Sequence, residues 1–149
     1  LRALSEDAVL AAMKAGRGYV TEGPKGPHLE IGIGDAPMGS AVQRKPLLRA
    51  RARVRSARGD LLHWIDASGV VGEQEILSGD WEGEIALLEG TQGFIRAEIV
   101  AKASRPWLVE EFTKAASERG ELPWQLKGSH LVDEPIRRAI SNPIYIDQD

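Results

Sequence analysis

Catalysis and metal binding need polar side chains that converge, and histidine commonly serves both purposes. Among the 149 residues of this chain, the first candidates are therefore the histidines. There are three, His28, His63 and His130, and none lies within four residues of another. Paired metal-binding histidines on one helix or strand recur at short spacings. The histidine pattern therefore predicts no metal site, and no catalytic or metal-ligating residue is assigned.

One group of carboxylates surrounds a histidine in the middle of the chain. Asp60, His63 and Asp66 are three residues apart, in a stretch whose apolar pattern predicts a strand. Successive side chains of a strand point to opposite faces, so this group would be split between the two faces. An ordinary half-exposed strand histidine is the interpretation that this spacing favours.

A second group, His130 with Asp133 and Glu134, lies in a predicted loop. It is more suggestive of a ligand set than the first group, but a solvated polar loop is the favoured interpretation. The chain contains no G-x-S-x-G motif and no P-loop, and "GIGDAPMG" follows a strand without opening a helix. The absence of cysteine excludes disulfides and thiolate ligands.

The strongest local pattern is a row of four arginines in "LLRARARVRS". Residues two apart on a strand lie about 6.6–6.8 Å apart on the same face, so the row predicts a cationic stripe about 20 Å long. Such a stripe could contact phosphates, an anionic polymer or an acidic partner protein. The possible anion or partner contact residues are Arg49, Arg51, Arg53 and Arg55.

The alternative is a solvated sheet face on which neighbouring strands supply carboxylates opposite the arginines. The net charge of -3 supports this interpretation, and no series of aromatic residues accompanies the row for base stacking. The candidate carboxylates are Glu73, Glu75, Glu82, Glu84 and Glu98.

The chain has four tryptophans, Trp64, Trp81, Trp107 and Trp124. They are expected in the core or over sheet edges, although an exposed pair could bind sugar.

The spacing of apolar residues changes along the chain, and it predicts the helices and strands that would position these residues. "LSEDAVLAAMKAGRG" predicts a helix with Ser5 as N-cap, acidic residues in its first turn and a stop at Gly16. After it, six or seven short segments alternate between apolar and polar residues, as in an antiparallel sandwich. A second helix is predicted from Pro106 to Gly120, within an insertion at about 106–132. "DAPMGSAVQRKP" is expected to be a loop.

The end of the chain, "RRAISNPIYIDQD", is expected to start as a helix end and to finish as a strand from Ile144 to Ile146. Pro143 lacks an N–H group, so it suits the first position of a strand or a sheet edge. Ile144 and Ile146 would then face the core and Tyr145 the solvent. This last strand is predicted to complete the sandwich.

Composition narrows the class of protein. The 42% hydrophobic and 28% charged residues are ordinary for a globular domain. The acidic balance gives no attraction toward nucleic acid or an anionic membrane, and no apolar run approaches the length of about 18 residues that a membrane helix needs. We therefore expect a soluble chain. Because it begins at Leu1 rather than Met, its N-terminus is interpreted as trimmed, and no compartment is assigned.

Three stretches in this order carry a family resemblance: "AAMKAGRGYVTEG", "GFIRAEIVAKA" and the terminal "AISNPIYI". Together they resemble the C-terminal part of PHP-superfamily proteins (polymerase and histidinol phosphatase), in the branch that includes carbaryl-hydrolase-like proteins. In that branch the last helix of a metal-binding barrel is followed by a β-sandwich. The insertion at about 106–132 departs from the family pattern.

The resemblance implies residues 1–17 as a helix from the end of an upstream barrel, and 18–149 as an immunoglobulin-like β-sandwich accessory domain. The family's His-x-His type ligands match no position here, so no cofactor is expected in this fragment. A divalent metal (Mn, Zn or Fe) is expected in the missing upstream domain. The implied function is non-catalytic: packing on the catalytic barrel of a metal-dependent phosphoesterase or hydrolase, or mediating assembly.

The expected partners are the chain's own upstream catalytic domain and, as a second candidate, further copies of the chain in a homo-oligomer. Neither nucleic acid nor membrane is expected to bind. The alternative function from another class is a free-standing sugar- or anion-binding β-sandwich module, for which the arginine row would be the contact surface.

Overall fold

The computed structural model describes residues 5–91, 93–102, 114, 118 and 136–147. Within these residues the chain forms a short helix and a series of strands that make two sheets, so the predicted mainly β fold class is confirmed. The elements in chain order are α1 Glu6–Lys14, β1 Tyr19–Thr21, β2 His28–Ile33, β3 Ala36–Pro37, β4 Ala41–Gln43, β5 Arg49–Arg55, β6 Leu61–Asp66, β7 Gly69–Glu75, β8 Asp80–Ala86, β9 Phe94–Val100, β10 Arg137–Ser141 and β11 Ile144–Asp147.

Helix α1 has the ends that its sequence predicts. The Ser5 hydroxyl accepts a hydrogen bond from the Ala8 N–H at 3.2 Å, which satisfies one of the free donors of the first turn. Two carboxylates occupy the first turn and Lys14 the last, as the helix dipole favours. Gly16 has φ +65° and ends the helix in the left-handed region.

The smaller sheet has the strand order β3-β2-β5-β8, and all of its pairs are antiparallel. Its burial alternates along every strand. In β2 the inward residues are Leu29, Ile31 and Ile33, and in β5 the arginines point outward while the residues between them are buried. The period of two read from the sequence therefore places the arginine row on the outer face of this sheet.

The larger sheet is organised around β9. Strand β6 pairs with β9 on one side and with β7 beyond it, and β10 and β11 follow one another along the other side of β9. The outermost positions belong to β1, which pairs with β10, and to β4, which pairs with β11. Because β9 contacts three strands, it fixes the register of most of this sheet.

The two sheets share one apolar core. Leu29 and Val54 of the smaller sheet and Trp64, Ile99 and Ile144 of the larger sheet are fully buried in the same cluster. Two sheets that close on each other through their inner faces define a β-sandwich. The immunoglobulin-like strand order, in contrast, stays a prediction.

Four details differ from the sequence-based expectations. Strands β3 and β4 lie in the segment predicted as a loop, and β10 occupies the stretch predicted as a helix end. The β4–β11 pair is parallel, whereas an antiparallel sandwich was expected. Strand β3 forms a tight hairpin with β2, and its two residues are too few to show a period. Strands β4 and β10 pair with residues distant in sequence, which local pattern does not contain.

The last strand is confirmed. β11 begins directly after Pro143, with Ile144 and Ile146 buried and Tyr145 exposed. The predicted insertion at 106–132 lies, apart from positions 114 and 118, outside the residues that the structure describes. The proposed boundary between residues 17 and 18 stays a prediction.

The β6–β7 hairpin turns at Ala67–Ser68, and Gly69 has φ +120°. The Asp66 carboxylate accepts hydrogen bonds from the Ser68 N–H at 2.7 Å and from the Ser68 hydroxyl at 2.6 Å, which holds the turn. The pairing register shifts between Trp64 and Ile65, so Val71 has no residue opposite it and forms a β-bulge in β7.

The C-terminal end of α1 touches the sandwich through two glycines. A Cβ built on Gly39, in the turn between β3 and β4, would lie 2.0 Å from the Ala15 carbonyl oxygen and 2.7 Å from the Gly16 carbonyl carbon. Gly39 also has φ +80°. Only glycine permits both this conformation and this approach of two backbones.

We expect Gly39→Ala to destabilise the protein more than Gly59→Ala does. Gly59 has φ +87°, but a Cβ there would meet nothing within 4 Å, so its substitution isolates the left-handed strain of about 1–2 kcal/mol. Gly39→Ala adds the overlap with α1, for which overpacking suggests about 1–3 kcal/mol more. Chemical denaturation of both variants measures the difference, and equal losses would contradict the close contact.

Candidate functional site

The four predicted contact arginines are aligned on the outer face of the smaller sheet, and the row pairs alternately with β8. Arg49 pairs with Glu84, and Arg53 donates to Asp80 at 3.2–3.3 Å and lies 3.8 Å from Glu82. The expectation of carboxylates on the neighbouring strand is confirmed for Glu82 and Glu84.

The other three expected carboxylates lie elsewhere, so that part of the expectation is wrong. Glu73 and Glu75 are on β7 and Glu98 is on β9, all in the larger sheet. Their partners are His63, Lys102 and the pair Arg96 and Arg137. Sequence alternation shows that a residue faces outward, but it does not show which strands are neighbours.

The pairing changes the titration of the groups involved. A hydrogen bond from Arg53 lowers the pKa of the Asp80 carboxyl below its usual value, and the positive charges of Arg53 and Arg55 act in the same direction. The pKa of Arg53 is raised by its hydrogen bond to Asp80. Both groups are therefore charged at neutral pH.

Arg51 and Arg55 differ from the other two arginines, since no carboxylate pairs with either among the described ion pairs. Arg51 donates to the Gly34 carbonyl oxygen at 3.2 Å. It borders a groove of about 480 Å³, in which Gly32 leaves a gap between the side chains. The groove also carries the carboxylates of Glu30, Asp35, Glu82 and Glu84, so its charge is mixed rather than cationic. Such a lining favours the solvated-face interpretation over an anionic polymer.

The carboxylate–histidine group in the middle of the chain, Asp60, His63 and Asp66, does not converge on one site. Asp60 contacts Arg138, His63 lies 2.9 Å from Glu73, and Asp66 holds the hairpin turn. Among the described residues no group of three His, Cys, Asp or Glu side chains could hold a metal ion. His130, Asp133 and Glu134 lie outside the described residues.

The tryptophans that the structure describes do not form a sugar platform. Trp64 is fully buried and donates to the Gln74 side-chain oxygen at 3.1 Å. Trp81 is partly buried and packs against the core. This confirms the expected core placement for these two, while Trp107 and Trp124 lie outside the described residues.

The structure contains a buried ion cluster that the sequence pattern did not predict. The Arg138 guanidinium, whose side chain is 10% exposed, donates to Glu22 at 2.5 and 3.0 Å and to the Asp60 carboxylate. Burial acts against its charge, but the hydrogen bonds to Glu22 and Asp60 outweigh it and raise the pKa of Arg138. The cluster joins residues 78 and 116 positions apart, so no local pattern could have indicated it.

A second buried carboxylate, Glu98, is bound on both sides. It accepts from Arg96 at 2.6 Å and from Arg137 at 2.9 Å. Among the described residues no buried side-chain nitrogen or oxygen lacks a hydrogen-bond partner. The buried charges therefore act in holding strands together, because each one is compensated where it lies.

Among the described residues, the exposed surface most typical of an interaction site is apolar. None of the residues of α1 is buried, although the helix has an apolar face: Val9, Leu10 and Met13 are 43%, 46% and 71% exposed. Val20 of β1 is 71% exposed, and it lines with Val9 and Met13 a groove of about 450 Å³. We call Val9, Leu10, Met13 and Val20 the α1–β1 apolar surface. Contiguous exposed apolar residues of this kind mark interaction sites.

Comparison of the chain with protein-family models, with curated proteins and with solved structures found no match. None of the helices in the described residues is long and apolar enough to cross a membrane. Over the residues that the structure describes, the class is a mainly β sandwich with ion pairs on its outer face and helix α1 in contact with it.

We expect Arg138→Met to lower the free energy of unfolding by about 3 kcal/mol, because it leaves a carboxylate buried without its cation. The value is at the lower end for buried pairs, since the Glu22 side chain is 28% exposed and can reach water. Urea denaturation measures the loss. The matched control is Arg53→Met, which removes an exposed ion pair and should change stability little. Equal losses in the two variants would contradict the role of burial.

We expect Arg53→Gln to raise the pKa of Asp80 toward the ordinary aspartate value. In the native protein the pKa of this carboxyl is depressed. Its pairing with Arg53 therefore stabilises the fold at pH values above the ordinary aspartate pKa, and this stabilisation is lost as the pH falls through the depressed pKa. The stability difference between wild type and variant should therefore shrink on acidification. NMR titration of the Asp80 carboxyl measures the shift, with Arg58→Gln as control. An unchanged titration curve would refute the assignment.

Proposed function

We propose that this chain is a non-catalytic structural domain of a larger metal-dependent hydrolase, of the phosphoesterase-like PHP type that its sequence resembles. On this proposal it packs against the catalytic domain through the α1–β1 apolar surface. The observation that carries the proposal is the exposure of the apolar face of a helix that is capped and contacts the sandwich at its C-terminal end.

The length of α1 supports the need for a partner. An isolated helix shorter than about 12–15 residues is marginal in water, and α1 has nine residues. Most of the stability of such a helix comes from packing of its apolar face. Completing the burial of Val9, Leu10 and Met13 would contribute about 3 kcal/mol by their exposed fractions. A contacting domain would therefore stabilise α1 substantially.

The chemistry of the parent hydrolase would lie in the partner domain. In the resembling family the metal is bound by His-x-His type motifs upstream of the helix, and the divalent metal (Mn, Zn or Fe) would be bound there. Three side chains of the kind that could bind a metal support this division of labour, since they make structural contacts: His28 with Tyr19, His63 with Glu73, and Asp60 with Arg138.

The alternative, a free-standing sugar- or anion-binding module, has less support. Arg51 is its best feature, because no described carboxylate pairs with it and it borders a groove. However, four carboxylates share that groove with two guanidinium groups, and the described tryptophans are in or against the core. A salt-sensitive affinity of the isolated chain for phosphate or heparin, lost in Arg51→Gln, would favour the alternative.

The first experiment is to read the coding sequence immediately before the codon for Leu1. The proposal expects an open reading frame with His-x-His and Asp-x-His type motifs, whereas an initiator methionine directly before Leu1 would overturn it. The isolated chain should also show no hydrolysis of an aryl phosphate with added Mn²⁺ or Zn²⁺. Chelator-sensitive turnover would show that the catalytic groups are in this chain.

We expect Met13→Glu to weaken binding of the separately expressed upstream polypeptide at least about tenfold, because a charge would enter an apolar contact. The thermal unfolding of the isolated chain should hardly change, since Met13 is exposed there. Isothermal titration calorimetry measures the affinity.

The matched control is Leu47→Glu. Leu47 is 90% exposed and lies in the loop before β5, away from the α1–β1 apolar surface. Its substitution introduces the same charge in place of an apolar residue that is even more exposed than Met13. Binding that weakens equally in both variants would show a general effect of charge and would argue against this surface.

A further inference from the structure

The short segment between β10 and β11 makes hydrogen bonds to three separate parts of the structure. The two strands follow one another along β9, with Ile140 opposite Glu98 and Ile144 opposite Ile95. Ser141, Asn142 and Pro143 lie at and after the end of β10, in the gap between the strands. They form the middle of the terminal stretch "AISNPIYI".

Each residue of this segment makes a different link. The Ser141 hydroxyl accepts from the Ala97 N–H of β9 at 2.9 Å. The Asn142 side-chain amide donates to the Gly16 carbonyl oxygen at 3.0 Å, and the Asn142 N–H donates to the Gly18 carbonyl oxygen at 3.1 Å. The Pro143 carbonyl oxygen accepts from the Gly39 N–H at 2.8 Å. The last two residues thus hold both partners of the contact between Gly16 and Gly39.

We propose that Asn142 is a positioning residue that sets the orientation of α1 and thereby of the α1–β1 apolar surface. The inference rests on the proposed function, since it concerns the same docking surface. Because no residue of α1 is buried, the sandwich holds the helix through its C-terminal end. At that end the side-chain amide of Asn142 is a direct polar contact to a carbonyl group of the helix terminus.

Geometry explains why one hydrogen bond at the end of α1 has a large effect. A helix of nine residues is about 13.5 Å long, so a rotation of about 10° around its C-terminal end moves the far end by about 2 Å. Binding groups must be held to within about 0.5 Å to act as a preformed site. Loosening of the Asn142 contact therefore costs docking affinity through lost preorganisation, without removing any contact residue.

The test uses Asn142→Asp and Asn142→Ala in the whole chain. Asn142→Asp keeps the shape but removes the donor and places a negative charge beside the negative end of the helix dipole. Asn142→Ala removes the donor without adding charge. We expect amide hydrogen exchange in Glu6–Lys14 to become at least about fivefold faster in both variants, with exchange in β2, β5 and β9 unchanged. Affinity for the upstream polypeptide should fall about tenfold.

The matched control is Ser78→Ala. It removes another exposed side-chain-to-backbone hydrogen bond, from the Ser78 hydroxyl to the Asp80 carbonyl oxygen, in the loop before β8. It should leave the exchange of α1 and the docking affinity as in the wild type.

The outcomes separate the inference from the proposed function. Unchanged α1 exchange in both Asn142 variants, or an increase shared equally by all the strands, would overturn the inference. Docking that responds to Met13→Glu but not to the Asn142 variants would overturn it as well, while the proposed function would stand. Docking that responds to neither substitution would overturn the proposed function itself.

Discussion

The burial of Ala50, Ala52 and Val54 is the constraint on which most of the molecule depends. Their side chains form the inner face of β5, and the strict alternation of a strand then commits the four arginines to the outer face. Strands β2 and β8 align on either side of β5, so the same alternation orders the core and the charged face together. A shift of β5 by one residue would bury arginines and expose the core, which makes the register unambiguous.

The sequence contains the strands with regular alternation and the capped helix, because both patterns are local. β2, β5, β6–β7 and β11 were predicted for this reason. β3 and β4 have two and three residues, too few to show a period, and they form because β2 and β11 lie beside them. β10 begins with two arginines, and its strand conformation follows from pairing with β9 and β1. The exposure of the apolar residues of α1 could not be read from the sequence, since exposure depends on what the rest of the fold covers.

Charged groups act in two ways that their sequence positions do not distinguish. On the outer face of the smaller sheet the ion pairs are exposed, so each contributes little to stability. Around Arg138 the charges are buried, and removal of the guanidinium takes away the cation that both Glu22 and Asp60 contact. The buried cluster joins β10 to the segment after β1 and to the loop between β5 and β6. It therefore specifies which segments meet, whereas the arginine row follows from strand alignment.

The β-bulge at Val71 has a consequence for the protein in concentrated solution. β7 is the outer strand beyond β6 in the larger sheet, and it carries exposed valines. A flat apolar edge of this kind is a template on which another chain can add a strand, which is how sheets grow into aggregates. The bulge twists β7 and interrupts its regular backbone pattern at the valines. An irregularity of one residue thus makes the edge of β7 a poorer template for edge-to-edge pairing of separate molecules.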